Sequence, residues 1–459
     1  MSTSGIDAGP DTTAIRGAAL SYSKDPFRYP LEDCVVYESD ALVVMQDGLI
    51  REFGPAAELL DTLPGDTEVV QYDNCLIMPG FIDCHVHYPQ TEIIGVYGKH
   101  LLDWLNRYTF VAEQKFKSRE HASNTAKVFL REGLRCGTTT SSVFCTVDPI
   151  SVDAFFAASQ ELNMRNIAGK VLMDRNAPEE LLETPQQGYE QTQELIDRWH
   201  MQGRSLYSVT PRFAPTSSPQ QMELTGAVWQ ENPGTYLQSH VSENSSEIAW
   251  VTDLFPEQKS YVDVYQHYGM LGERSILGHG VHLAEHELQT LHDTGTALAH
   301  CPTSNLFLGS GLFNIEQAMN PDRPVRVGLA TDLGAGTNFS QLVTMSEAYK
   351  IAQLNGYALS AHHAYYLATR GAANALYLDD KIGSIEVGME ADLTVLDLKA
   401  TPVLGYRMKH TNNLEEALFV LMTLGDDRTS CATYVAGERV YSRELQIRKE
   451  VFTESLMLE

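Results

Sequence analysis

Cys75-Leu76-Ile77-Met78-Pro79-Gly80-Phe81-Ile82-Asp83-Cys84-His85-Val86-His87 is the stretch on which the reading of this chain turns. An apolar run of strand length, Cys75–Phe81, passes at once into a strand-to-loop junction that carries two histidines two residues apart. Side chains at i and i+2 of an extended chain leave on the same side, so both imidazoles can reach one ion. With 15 His in the chain, a single H-x-H is close to what chance supplies. Its weight therefore depends on where the pair sits in the fold.

Seven more runs of strand length follow: Thr138–Phe144, Ile167–Met173, Leu206–Pro211, Thr235–His240, Ile276–His279, Ala297–His300 and Val327–Asp332. Segments of helical length lie between them, among them Arg119–Arg135, Pro178–His200 and Leu283–His292. Eight β/α units over about 250 residues have the size and rhythm of a TIM barrel, with a doubly wound sheet as the structural alternative. Two β-rich segments bracket this region. One holds short runs around Cys34–Tyr37, Ala41–Val44 and Leu49–Ile50 punctuated by Asp-Gly and Phe-Gly, and the other covers Ile382–Leu396 and Ala432–Tyr441. Neither has enough strands to stand alone, so both ends are expected to build one small β-sandwich domain. The expected organisation is a flexible tail over 1–14, half of the β-domain over 15–77, an α/β barrel over 78–377 and the other half over 378–459.

The 459 residues carry 33 Lys+Arg against 60 Asp+Glu, a net charge of −27. Such a charge repels polyphosphate and anionic lipid, which excludes a nucleic-acid binder and a membrane-surface protein and leaves small molecules or other proteins as partners. Seven scattered cysteines without a C-x-x-C pair are reduced, cytoplasmic usage. MSTSGIDAGPDTT lacks a basic n-region and an apolar h-region, so no secretory signal is expected, and no run approaches a membrane span.

In a TIM barrel, the C-terminal ends of the strands converge on one mouth however far apart they lie in sequence. His85, His87, His240, His279 and Asp332 all fall at such ends. Four histidines and a carboxylate gathered there would be costly to bury without an ion. Three imidazoles, one carboxylate and an open position suit catalytic zinc or iron, which brings the pKa of a bound water toward about 7. His279 reads either as a ligand or as a neutral imidazole that orients this water. Glu243, close to His240 in the chain, reads as the proton carrier or as a solvent-facing first-turn glutamate. Asp332 has a second reading as a helix cap. The repeat of H-x-x-E at His282 and Glu285 reads as a polar helix start, and His362-His363 as structural.

PGFIDCHVHYPQ, HVSEN, HGVHL, CPTSNLFLGSG and TDLGAGTN, in this order, resemble the amidohydrolase superfamily, and LLDWLNRYTF and TPRF are similar to its guanine-deaminase group. The resemblance covers nearly the whole chain. It implies one zinc, with iron as the alternative, held by His85, His87, His240 and Asp332. It also implies Glu243 as proton shuttle, His279 beside the attacking water, and purine contacts at Gln90, Arg212 and Phe213 as well as at His240 and Glu243. A guanidinium matches the acceptors of a purine edge as a fork, and Phe213 supplies an apolar face. The competing reading pairs Arg212 with a barrel-mouth carboxylate and places Phe213 in the core. Leu101, Trp104 and Arg107, in the long loop after the first strand, read as pocket lining or as an amphipathic helix. Asn305 reads as a support for that loop or for the substrate.

Two-metal members of the superfamily bridge their ions through a lysine at the end of strand four, where this chain has Thr210-Pro211-Arg212-Phe213. A mononuclear site is therefore expected. The P-C-x-x-C of the cytidine-deaminase zinc site and a Gly-rich phosphate loop are both missing. The implied activity is hydrolysis of guanine to xanthine and ammonia in purine catabolism, by a cytoplasmic homodimer. The alternative substrate is a related aminated heterocycle: 8-oxoguanine, a pterin or a triazine.

Overall fold

Gly80 divides into two what reads as one strand. A Cβ at this position would lie 2.1 Å from Thr139 Oγ1, so the bare backbone is what lets the chain pass its neighbour. The computed structural model describes residues 12–65, 67–98 and 101–443. Ahead of Gly80 lie β1 (Thr12–Tyr22), β2 (Val35–Gln46), β3 (Leu49–Pro55) and β4 (Glu68–Pro79). Residues 1–11 of the expected tail lie outside the described residues, and Thr12, Thr13 and Ala14 already belong to β1. β2 and β3 form a hairpin through Asp47 and Gly48, both at positive φ (54° and 78°), as a two-residue primed turn requires.

After Gly80 come β5 (Phe81–His87), β6 (Thr138–Phe144), β7 (Ile167–Gly169), β8 (Val171–Leu172), β9 (Leu206–Pro211), β10 (Tyr236–Val241), β11 (Ser275–His279), β12 (Ala297–His300) and β13 (Val327–Leu329). They are parallel and lie beside one another in chain order, with β7 and β8 the two pieces of one expected strand parted at Lys170. The seam between β13 and β5 is bridged just beyond β13. Asp332 N–H donates to His85 O (3.0 Å) and Thr331 N–H to Asp83 Oδ1 (3.0 Å). Sequential order with joined ends is a (βα)8 barrel and rules out the doubly wound sheet. Helices on its outside open on short polar caps followed by proline: Asp148 before Pro149–Glu161, Thr184 before Pro185–Trp199 and Ser218 before Pro219–Glu231. Among the described residues, no helix is long and apolar enough to cross a membrane.

β14 (Leu393–Asp397), β15 (Ser430–Val435) and β16 (Glu438–Ser442) return to the N-terminal strands and complete a seven-stranded sheet, β16-β15-β14-β4-β1-β2-β3. The expected first barrel strand, Cys75–Phe81, is corrected here. Cys75–Pro79 ends β4 and pairs antiparallel with Leu393–Asp397, whereas Phe81 begins β5. Leu76, Ile77 and Met78 are buried in a central strand between β1 and β14. A strand covered on both faces is apolar throughout wherever it sits, so hydrophobicity does not assign it to sheet or barrel.

The sheet is tied to the barrel floor by charge. Glu390 accepts from Arg165 Nε (2.6 Å) and from Arg204 Nη2 (2.5 Å), which also reaches Asp392 Oδ2 (2.5 Å). Burial pushes the Glu390 carboxyl up, but the two guanidinium groups outweigh it and hold it below its ordinary value.

Candidate active site

β5 delivers His85 and His87, both buried, to the barrel mouth with ring centroids 5.2 Å apart. Gly278 makes room for His85, because a Cβ there would lie 2.6 Å from its ring. His240 lies one residue before the end of β10, and its Nδ1 donates to Arg212 O (2.6 Å), which turns Nε2 toward His87 Nε2 at 3.1 Å. Asp332 brings Oδ1 to 3.6 Å from His85 Nε2 and 3.5 Å from His87 Nε2. The ligand atoms of His85, His87 and His240 lie within 4.8 Å of one another. Burial first, and then the neighbouring histidines, hold all three imidazoles well below their ordinary pKa, so they are neutral. His85 Nε2 is buried without a hydrogen-bond partner. An orphaned nitrogen facing a carboxylate and two more neutral imidazoles is a donor set that fits one transition-metal ion. Cys301 also lies within reach of His85, His279 and Asp332, but its thiol donates to Ala299 O (3.4 Å).

Two acids stand beside this group. Glu243 is buried, accepts from Ser310 Oγ on Oε1 (2.8 Å) and brings Oε2 to 3.4 Å from His279 Nε2. Burial pushes its carboxyl to about 7, and that of Asp332 to about 7 as well. The bland readings of both residues fail. The helix after β10 begins at Ser245 with Asn244 as its cap, and the helix after β13 begins at Gln341 behind Ser340, so Glu243 is not solvent-facing and Asp332 is not a cap. His279 donates from Nδ1 to Asn305 Oδ1 (2.9 Å), which leaves Nε2 for the cavity side. Asn305 thus supports His279, a contact that neither of its expected roles named.

An open cleft at the barrel mouth is lined by His87, His240, Glu243, His279 and Asp332. Gln90, Leu101, Trp104, Arg212 and Phe213 form much of the rest. The segment after β5 is both lining and helix: Leu101–Trp104, a π turn over Leu105–Thr109 and Phe110–Glu113 run on as one helical path. Leu101 and Trp104 face the cavity, whereas Arg107 is exposed and pairs with Asp103 at 2.8 Å. Phe213 meets Trp250 edge-on at 6.3 Å. Arg212 both lines the cavity and pairs with a carboxylate, donating through Nη1 to Glu113 at 2.7 and 3.0 Å. Outside the site, His362 bonds Tyr22, His363 bonds Pro26 O, and Glu285 pairs with Arg323.

The sequence matches the amidohydrolase family over residues 76–440. The chain belongs to the amidohydrolase family. It is 49% identical over 404 residues, 88% of its length and 92% of the other's, to the guanine deaminase of Escherichia coli (strain K12). The solved structure of E. coli guanine deaminase superposes with a TM-score of 0.91 at 47% identity, covering 94% of this chain and 100% of that one. The guanine deaminase of C. acetobutylicum, solved with bound guanine in its active site, gives 0.83 at 28% identity over 94% and 100% of the two chains.

Three functional neighbours in this amidohydrolase escaped sequence reading. Glu113 carries no motif, and its partner Arg212 lies 99 residues away. Ser310 sits in an irregular loop. Glu247 did leave a signal: Asn244-x-x-Glu247 is a capping box, and Glu247 Oε2 accepts from the backbone N–H of both Glu243 (3.0 Å) and Asn244 (3.2 Å). Lys170, buried between β7 and β8, has its ammonium bound to Glu183.

Proposed function

We infer that this amidohydrolase is a guanine deaminase, which hydrolyses guanine to xanthine and ammonia. The observation that carries the reading is the pairing of two unlike walls around one cavity. A neutral histidine–carboxylate group faces a wall in which Arg212 and Gln90 offer hydrogen bonds to a flat base and Phe213 offers an apolar face. The relatives reported above support guanine over 8-oxoguanine, a pterin or a triazine.

His85, His87, His240 and Asp332 would hold one zinc per chain, a count supported by Arg212, rather than lysine, beyond the end of β9. Bound there, zinc acidifies the attacking water and stabilises charge developing on its oxygen. Glu243, poised near neutrality by burial, takes a proton from that water and gives it to the ring nitrogen beside the amine-bearing carbon. A second transfer through Glu243 protonates the amine, which leaves as ammonia. His279, fixed by Asn305, presents Nε2 to the incoming oxygen.

Ammonia release from a panel of purines, pterins and triazines tests the assignment. Guanine should exceed every other base, and adenine should be rejected by roughly 10⁴, because its amine opposes the Arg212 donors. A pterin or triazine turned over faster than guanine would overturn it. The homodimer and the cytoplasmic location belong to the same proposal, and light scattering checks the first.

A further inference from the structure

Glu113 is 1% exposed and reaches both polar side chains of the base-binding wall. Its two oxygens take the Nη1 of Arg212, and the Gln90 amide donates to it as well. With Nη1 committed to Glu113 and the guanidinium packed over the Phe110 ring at 5.5 Å, the plane of Arg212 is set and its remaining donors are left for the cavity. Gln90 has its amide nitrogen committed likewise, which fixes the sense of the amide. Its Oε1 is buried with no partner, in a seat that exists only because Gly334 has no side chain: a Cβ there would lie 2.1 Å from that oxygen. A buried acceptor without a donor is expensive unless a ligand N–H supplies one.

We propose that Glu113 is the positioning residue of this pocket: it orients Arg212 as donor and Gln90 as acceptor, and it cancels the arginine's charge. The site then selects an uncharged base that presents an acceptor next to an N–H. An anion gains nothing from a guanidinium already neutralised, so xanthine, the more acidic base, is released once formed. Glu113 does not touch the reacting atoms. The inference rests on the guanine-deaminase reading.

The test compares zinc-loaded wild type with Glu113→Gln and Glu113→Asp by steady-state kinetics, zinc content and calorimetric binding of xanthine across pH. Glu113→Gln should keep its zinc and hold kcat within about threefold, while KM for guanine rises by about 10–100-fold, the scale of one lost charge-assisted bond. It should also bind xanthine more tightly as the pH rises and xanthine ionises, because Arg212 is then an uncompensated cation. Glu113→Asp, which keeps the charge, should recover most of the guanine KM and lose the pH-dependent xanthine gain. An unchanged KM, a loss confined to kcat, or xanthine affinity of Glu113→Gln that ignores pH would overturn the proposal. If Glu113→Gln does not melt cooperatively, the wild type decides: xanthine affinity that stays flat as xanthine ionises supports the proposal, and affinity that rises with its ionisation overturns it. A wild type that binds bases but releases no ammonia from guanine would remove the functional reading, and xanthine binding would still judge Glu113.

Discussion

Two buried polar regions of this chain use similar residues and reach opposite states. Where the terminal sheet meets the barrel floor, Glu390 and Asp392 are matched by Arg165 and Arg204, and the Glu390 carboxyl is held below its ordinary value. At the barrel mouth, no arginine or lysine among the described residues lies within ion-pairing distance of Glu243 or Asp332, and burial raises both to about 7. Two histidine nitrogens there, His85 Nε2 and His87 Nδ1, have no hydrogen-bond partner. A buried network that serves the fold satisfies its members, whereas one that serves chemistry leaves capacity open for what will bind.

The largest effect expected from breaking this contrast is at the mouth. Replacing His85 or Asp332 by alanine should abolish both metal retention and turnover, read by elemental analysis and ammonia release. Two tightly held ions per wild-type chain would defeat the mononuclear assignment. Glu243→Gln comes next: it should keep its metal and lose 10²–10⁴ in kcat, as expected for a general acid–base group. The same variant sharpens the comparison through stability. A carboxyl raised to about 7 in the fold and near 4.5 when unfolded disfavours the native state once the pH exceeds 4.5, and that penalty is complete above 7. Metal-free Glu243→Gln should therefore melt higher than metal-free wild type at pH 8, with the gap closing toward pH 4.5.

The floor should behave in the reverse sense. Arg204→Ala should destabilise by roughly 3 kcal/mol in denaturant melts, because it leaves the buried Asp392 carboxylate without its guanidinium, while KM and kcat stay near wild type. Glu390 is depressed in the fold, so its contribution is present above its unfolded value of 4.5 and is lost as the pH falls through its folded value. Glu390→Gln should be less stable at neutral pH and show a flatter acid limb. Smallest of all is Arg107→Ala. Its exposed pair with Asp103 contributes at most about 0.5 kcal/mol, and kinetics should not move.

The barrel and its mouth were legible because strand ends converge in this fold, so histidines separated by more than 150 residues could be placed together before any coordinates. The Cys75–Phe81 assignment failed for the reason that made it attractive: uniform hydrophobicity says that a strand is covered, not by which layer. Arg212 pairs with a carboxylate, as one of its readings held, and also lines the cavity, and both readings offered for Leu101 and Trp104 hold at once, since a residue can pair or pack on one side and face a cavity on the other. Glu113 was out of reach, because a lone glutamate in an amphipathic segment looks the same whether it meets water or an arginine from across the barrel.

The register of β4 against β14 joins residue 79 to residue 393, with the whole barrel between them. On the ribosome, at about 5–20 residues per second, β4 is therefore made roughly 15–60 s before the strand that covers its edge. For that time the first sheet strands carry an open, apolar edge, the kind that pairs with whatever strand is nearest. The layout that seats the barrel on a sheet built from both ends leaves that edge to be shielded until the last strands are made, and a chain cut short before β14 would keep it open.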